Sequence, residues 1–229
     1  MQPAHANYGP EQLATASSEA PQHGGELAPA FSENYQGDRR LKRNMPASVP
    51  DNDNCAFFIT GLPSNVTTRQ LLANISNTGR IWQSHINAPD FRHNHAAAKV
   101  AFFTRAAADV FWNATRNGFW VGGYRAIVQF NRHKVGSQLN GIYKTRVLII
   151  KGNPTWVNLE NMLHVMGTEM KFWYLDEHSV RPIGIDLVEL TLQFGSFRAQ
   201  AESAFIVLIR RLGDLGVTFS YGMDPCGVI

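Results

Sequence analysis

The placement of cations and aromatics sets the chemistry open to this 229-residue chain. Residues 54–133 carry eight Lys/Arg against two Asp/Glu, a net charge of +6, whereas residues 1–53 stand at −3 and residues 134–229 are neutral. A basic face is what a polyanion needs, because Lys and Arg replace the counterions condensed on phosphates. The cations of the middle block include Arg92, Lys99, Arg125 and Arg132, with His93 and His95 close to the first of them. Any one of these is ordinarily solvated surface; as a group they agree with the charge of their block. Groups for covalent chemistry do not converge in the same way. Asp90 and Asp109 are isolated acids, and no nucleophile elbow, phosphate-binding glycine loop or carboxylate pair occurs. His93 and His95 have no carboxylate or cysteine at a metal-ligand spacing. Cys55 and Cys226 are too few for a zinc site or a disulfide framework, and free thiols are expected. The expectation is a binding protein with no catalytic residue, cofactor or metal.

The hydrophobic pattern predicts a scaffold for those cations. CAFFIT, from Cys55, is a short β-prone run closed by Gly61 and Pro63. Thr67 and Gln70 have capping-box spacing ahead of a helix through Leu71, Leu72 and Ile75, with Gly79 as its end. Strands are expected at 81–86 and 97–103, separated by a polar loop at 87–94. Thr104 caps a second helix through Ala107, Val110, Phe111 and Ala114, closed by Gly118, and a last strand spans 124–130. Phe111, Trp112, Phe119 and Trp120 are assigned to core and helix-edge packing. The order is β-α-β-β-α-β, the ferredoxin-like arrangement. It recurs less cleanly, with strands at 146–151, 170–175, 188–194 and 217–221 and helices after Asn158 and over 197–212. The fold class is therefore α+β: two ferredoxin-like βαββαβ domains at 54–133 and 145–229, the second degenerate, joined by a linker at 134–144. Residues 1–53, rich in Ala, Pro, Gly, Ser and Gln, read as a disordered segment. Their basic run at 39–43 reads as a nuclear import signal, which makes the nucleus the expected address, or as a solvated linker. No run is long and apolar enough to suggest a membrane span or a secretory signal, so the cell interior, with no membrane partner, is expected.

Period-two alternation sorts the strand residues by face. Phe58 and Thr60 share one face with Ala97, Lys99 and Ala101, while Phe57, Ile59, Ala98, Val100 and Phe102 point into the core. On the last strand Ala126 and Val128 point inward, which turns Arg125, Ile127 and Gln129 outward. If Ile81 points inward, Trp82 is free to face outward unless a bulge resets the alternation.

These motifs resemble the RNA recognition motif (RRM) family. Phe57-Phe58-Ile59-Thr60-Gly61-Leu62 resembles the family's strand-one hexamer, and His95-Ala96-Ala97-Ala98-Lys99-Val100-Ala101-Phe102 its strand-three octamer. The intervening PSNVTTRQLLANISNTGRI and the closing GGYRAIVQF also resemble the family, so about eighty residues are covered. The resemblance implies single-stranded RNA as partner, with other ribonucleoprotein components as further ones. It implies a site made of Phe58 as base platform, Thr60, Trp82, Lys99, Arg125 and Gln129 on the sheet, and Arg92 and Arg132 at phosphates. Ala97 and Lys99 stand where the family places two further aromatics, so two of three platforms are missing. The second unit's hexamer and octamer, 148–153 and 187–194, put Ile149, Glu189 and Thr191 at the stacking places, which implies no RNA site there. The whole resembles tandem RRM proteins of filamentous fungi. Two other classes stay open: a protein-interaction module built on RRM-like folds, and an enzyme on the same scaffold.

Overall fold

The computed structural model describes residues 49–227, so the basic run at 39–43 lies outside the described residues. Residues 51–53, expected to belong to a disordered segment, form a single 3-10 turn, and Asp51 pairs with Lys134 at 2.9 Å.

In the first unit β1 (Ala56–Leu62) and α1 (Thr68–Leu72) are followed by β2 (Ile81–Asn87) and β3 (Ala96–Phe102). Then come α2 (Arg105–Thr115), β4 (Phe119–Val121) and β5 (Tyr124–Phe130). The antiparallel sheet runs β2-β3-β1-β5-β4, with both helices against one face. Phe57, Ile59, Val100 and Phe102 point inward, where Phe57 packs edge-on to Phe102 and Phe111 beneath α1 and α2. The capping box predicted for α1 is present: Gln70 N–H donates to Thr67 Oγ1, and Thr67 N–H donates to Gln70 Oε1. The helix stops at Leu72 rather than running to Gly79. Gly79 serves instead to admit α2, since a Cβ there would stand 2.3 Å from the Ala107 Cβ. Gly122 and Gly123, at φ 57° and 83°, make the tight turn that folds β4 onto β5, a strand not expected from the sequence.

The second unit has β6 (Val147–Gly152), α3 (Leu159–Glu169), β7 (Leu175–Gly184), β8 (Leu187–Phe194), α4 (Glu202–Leu212) and β9 (Thr218–Tyr221). Its sheet order, β7-β8-β6-β9, matches β2-β3-β1-β5 of the first unit, so both are ferredoxin-like units of RRM type. The helix expected after Asn158 is α3, which Asn158 caps by accepting from Asn161 N–H at 2.9 Å. Two expectations need correction. Residues 170–174 are not a strand; the strand is the more polar β7, an edge strand that tolerates Pro182 because one of its sides needs no partner. The helix foreseen over 197–212 is broken at its start. Phe197–Ala201 form a wide π-type turn in which Arg198 (φ −58°, ψ 129°) and Ala199 (φ 62°) leave helical geometry.

The two units share a packed junction. Ser84 N–H, on the outer edge of β2, donates to Ser196 Oγ at 3.0 Å, and Ser196 O–H donates back to Ser84 O. Trp82 packs against Phe103 and Phe197, with centroids 5.2 Å apart in each case. Residues 222–227 return to the first unit: Asp224 Oδ2 accepts from Ile81 N–H at 2.8 Å, and Cys226 O accepts from Thr78 and Gly79 N–H. Beneath them Arg146, only 1% exposed, donates to Asp224 Oδ1 at 3.0 Å and to Asp176 Oδ2 at 3.2 Å. Burial holds the Asp176 carboxyl above the usual range, and its Oδ1 has no hydrogen-bond partner. Burial pushes the neighbouring Cys226 thiol up to about 12. Among the described residues no helix is long and apolar enough to cross a membrane.

Candidate nucleic-acid interface

The first unit's helix-free sheet face is laid out in rows by strand register. Lys99 of β3 lies between His85 of β2 and Phe58 of β1, and Phe58 lies beside Gln129 of β5. One row thus reads His85, Lys99, Phe58, Gln129. Farther along, Thr60 stands opposite Ile127, which is 59% exposed, and Asn87 stands opposite Ala97. A β-bulge at Thr60-Gly61 sets two β1 residues against Ala97, and Gly61 supplies the φ of 76° it requires. On the outermost strand pair, Trp120 faces Arg125. Phe119 and Val121 on either side of Trp120 are buried in the core, so alternation turns Trp120 to the open face, where it is 56% exposed. Its indole Nε1 and the Arg125 Nε both stand within 3.5 Å of the position a Cβ on Gly118 would take.

Phe58, Thr60, Lys99, Arg125 and Gln129 therefore share one surface, as the alternation indicates. The remaining expected contacts are placed elsewhere. Trp82 is the extra residue of a β2 bulge between Ile81 and Gln83, and its ring is committed to Phe103 and Phe197 rather than presented to a ligand. Arg92, in the β2–β3 loop, lies over the 89% exposed Phe91 ring and is on the Asn87–Ala96 end of the sheet. Arg132 follows β5 at the opposite end, where Ala56 and Ala101, on the open-face parity, are fully buried. The face is thus closed at its Ala56 end and accessible from Phe58 towards Trp120. Trp120 was assigned to packing in the sequence; its position followed from a Gly-Gly hairpin signal between Phe-Trp-Val and Tyr-Arg-Ala that a three-residue strand hides.

Lys99 carries the face's main electrostatic feature. Burial, and secondarily the charge of Arg198 from the second unit, lower its ammonium to about 8. His85 is also held below its usual range, by burial and then by Lys99. No ion pair joins Lys99 to a carboxylate among the described residues, and no acid of the first unit shares this face: Asp90 lies in the loop and Asp109 on α2, paired with Arg105. The second unit's sheet is unlike it. Glu189 takes the central place in a row with Lys151 and Arg181, pairing with them at 3.1 and 2.8 Å, and these bonds hold its carboxyl below the ordinary range. Ile149, Thr191, Ser179 and Ser220 form the adjacent row, with no aromatic in either.

No family model and no curated protein matches the chain. Solved structures are similar to it. RNA recognition domains 1 and 2 of Sex-lethal from Drosophila melanogaster align at 16% identity over 74% of this chain and 100% of that one, with a TM-score of 0.29. The first two RRM domains of the yeast poly(U) binding protein align at 14% identity over 74% and 99%, with a TM-score of 0.31. A PID-3 TOFU-6 RRM domain complex aligns at 16% identity over 37% and 91%, with a TM-score of 0.32. The fold assignment rests on the strand order and register of the chain itself.

Proposed function

We propose that this chain binds single-stranded RNA on the open sheet face of its first unit, without covalent chemistry. The observation that carries the reading is the accessible, acid-free surface holding Phe58 beside Lys99 and Trp120 beside Arg125. Aromatic rings on such a surface stack bases, and cations between them hold the backbone. The aromatics missing from β3 are offset by a platform on β4, which shifts the bound strand towards the β5 side of the sheet. The two solved tandem-domain structures described above bear names of RNA-binding domains, which agrees with the reading. Ribonucleoprotein components are further partners under this reading, and the nucleus its expected address. The self-neutralised row Lys151, Glu189, Arg181 favours a second role for the other unit, as a surface that meets protein rather than RNA.

The full chain titrated with mixed-sequence single-stranded RNA at two salt concentrations tests the reading. Affinity falls with salt, by a slope of about −0.7 per phosphate neutralised. Phe58→Ala costs about 1–3 kcal/mol, the worth of one stacked base. Absence of binding at low salt, or binding indifferent to Phe58→Ala, refutes it.

A further inference from the structure

On the helix side of the first unit, away from the open sheet face, an apolar groove of about 560 Å³ runs between α2 and the returning segment that starts at Tyr221. Phe103, Ala106 and Val110 form one wall, Tyr221 and Met223 the other, and the Arg80 guanidinium lies over the Phe103 ring at 4.4 Å. Such a volume is in the range of pockets that hold ligands. The rim continues onto the linker, where Leu139, Ile142 and Tyr143 are all strongly exposed, Tyr143 to 87%. These side chains are held in place by their backbone. Arg80 Nη1 donates to Gly141 O at 2.6 Å and to Lys144 O, Gln138 N–H donates to Phe103 O at 2.7 Å, and a Cβ on Gly141 would stand 2.9 Å from the Phe103 ring. The linker is thus clamped onto the groove's own wall with its apolar side chains turned outward, and Met223 across the groove is 72% exposed. A contiguous exposed apolar surface of this kind marks a place where another segment docks. The charges beside it are cationic: Arg80 lies in the wall and Lys144 next to it on the linker. Asp224, the one acid in the lining among the described residues, is engaged by Arg146, Cys226 and Ile81.

We infer that the chain's own N-terminal segment occupies this groove, with Phe31 and Tyr35 seated against Val110 and Met223 and with Glu33 and Asp38 meeting the charges of Arg80 and Lys144. The place where the described chain begins supports this occupant. Val49 packs on Gly136, 3.6 Å from where a Cβ there would stand, and two residues further on Gln138 is bonded to Phe103 of the groove wall. Asp51 O accepts from Arg105 Nη1 at 3.0 Å, next to Ala106 of the same wall. The residues before Val49 therefore join the fold beside the groove. Composition selects the stretch that fits. Residues 1–38 hold five acids and no Lys or Arg, and their aromatics are Tyr8, Phe31 and Tyr35. The stretch 31–38, FSENYQGD, unites the apolar and anionic groups that an apolar groove with a cationic edge takes. Tyr35 precedes Val49 by a tether of about fourteen residues, which spans roughly 20 Å and so clears the width of a helix. The cations at 39–43 fall on that tether, between the docked stretch and the acidic turn Asp51–Asp53. A short tether holds its end at a millimolar effective concentration, so a groove that takes the free peptide with a dissociation constant of about 100 µM is about nine-tenths filled. Because the groove lies away from the sheet face, the inference does not depend on RNA binding.

The test is NMR of the full chain with isotope-labelled methionine methyl groups and a nitroxide attached at Ser32→Cys. Cys55 and Cys226 are buried, so the label goes to position 32. A docked segment carries the nitroxide to the groove, and most of the Met223 methyl signal is lost relative to the same sample with its nitroxide reduced. Replacing both aromatics, by Phe31→Ser and Tyr35→Ser, is expected to restore the signal. Val110→Glu is expected to do the same, since it sets an anion in the groove at a half-exposed helix position that tolerates one. Glu33→Lys with Asp38→Lys turns two attractions into repulsions and weakens the suppression. A Met223 signal equally strong with the nitroxide active and reduced overturns the inference. Suppression that survives the loss of both aromatics, the charge reversal or Val110→Glu also overturns it, because the segment then lies elsewhere. In a mixture of methyl-labelled chain without nitroxide and nitroxide-bearing chain without methyl label, an unaffected Met223 supports docking within one chain. Suppression in that mixture puts a second copy's segment in the groove and overturns the inference as stated.

Discussion

The two carboxylates that share Arg146 are unequal, and replacing each by its amide exposes the difference. Asp224 has both oxygens engaged: Oδ1 accepts from Arg146 Nε at 3.0 Å and Cys226 N–H at 3.1 Å, and Oδ2 accepts from Ile81 N–H at 2.8 Å. Asp224→Asn must turn an NH2 towards one of these donors. That removes a charge-assisted bond, worth about 1.5–3 kcal/mol, and leaves a buried N–H opposed, at about 1–3 kcal/mol more. The sum, about 2.5–6 kcal/mol, brackets the usual cost of about 3–5 kcal/mol for breaking a buried ion pair and is a large part of a typical domain stability of roughly 5–15 kcal/mol. Asp176 sits on the same guanidinium but keeps one oxygen unpartnered, and burial raises its pKa. One cation cannot balance two buried anions, so Asp176→Asn removes a poorly compensated charge and is expected to change stability by less than about 1 kcal/mol in either direction. Guanidinium unfolding followed by tryptophan fluorescence measures both, since Trp82 lies at the junction. Equal losses for the two variants, or a loss under about 1 kcal/mol for Asp224→Asn, refute this account of the junction.

Three further outcomes are expected. Trp120→Ala lowers RNA affinity by about 1–3 kcal/mol with no change in salt slope, because stacking and not charge is lost; unchanged binding in the same titration removes β4 from the interface. With Lys99 at about 8, roughly nine-tenths of it is protonated at pH 7 and one-tenth at pH 9, so RNA affinity falls by up to about tenfold as pH rises through that window. The measurement is the difference from Lys99→Arg, whose guanidinium stays charged, and parallel pH curves for the two proteins contradict the assignment. Gly79→Ala drives a methyl into Ala107 and is expected to lower stability by about 2 kcal/mol or more, read by thermal unfolding.

How much of this was legible in the sequence depended on the range of the interaction that fixes each residue. Phe58 and Lys99 were placed on one face because β1 and β3 keep strict period two between their bulges, so local alternation suffices. Trp82 fails by the same logic: one extra residue after Ile81 redirects it, and it is held by packing on Phe103 and on Phe197, the latter more than a hundred residues away. The run at 170–175 looked like a strand because it is apolar, yet Phe172 is 61% exposed, and the neighbouring polar stretch forms β7 because an edge strand of this kind buries little side-chain surface. The break at Arg198 and Ala199 had no signal at all: it lies in what reads as a continuous amphipathic helix, which the anchors at Ser196 and Gln200 interrupt.

The return of residues 222–227 to the first unit also bears on how the protein is made. The N–H groups of Thr78, Gly79 and Ile81, at the entry to β2, donate to Asp224 and Cys226. During synthesis the first unit emerges whole long before those acceptors exist, and for that interval its β2 entry and the Ser84 edge face water. Contacts of such sequence separation close late, so the first unit can collapse early but reaches its final rigidity in one step with the second. A ribosome that stops short of residue 224 therefore releases a first unit with an exposed strand edge and an uncovered Trp82, a species suited to capture by chaperones or by another nascent chain. The turn at 222–227 thus acts as a late closing contact, read by the part of the chain that folds first.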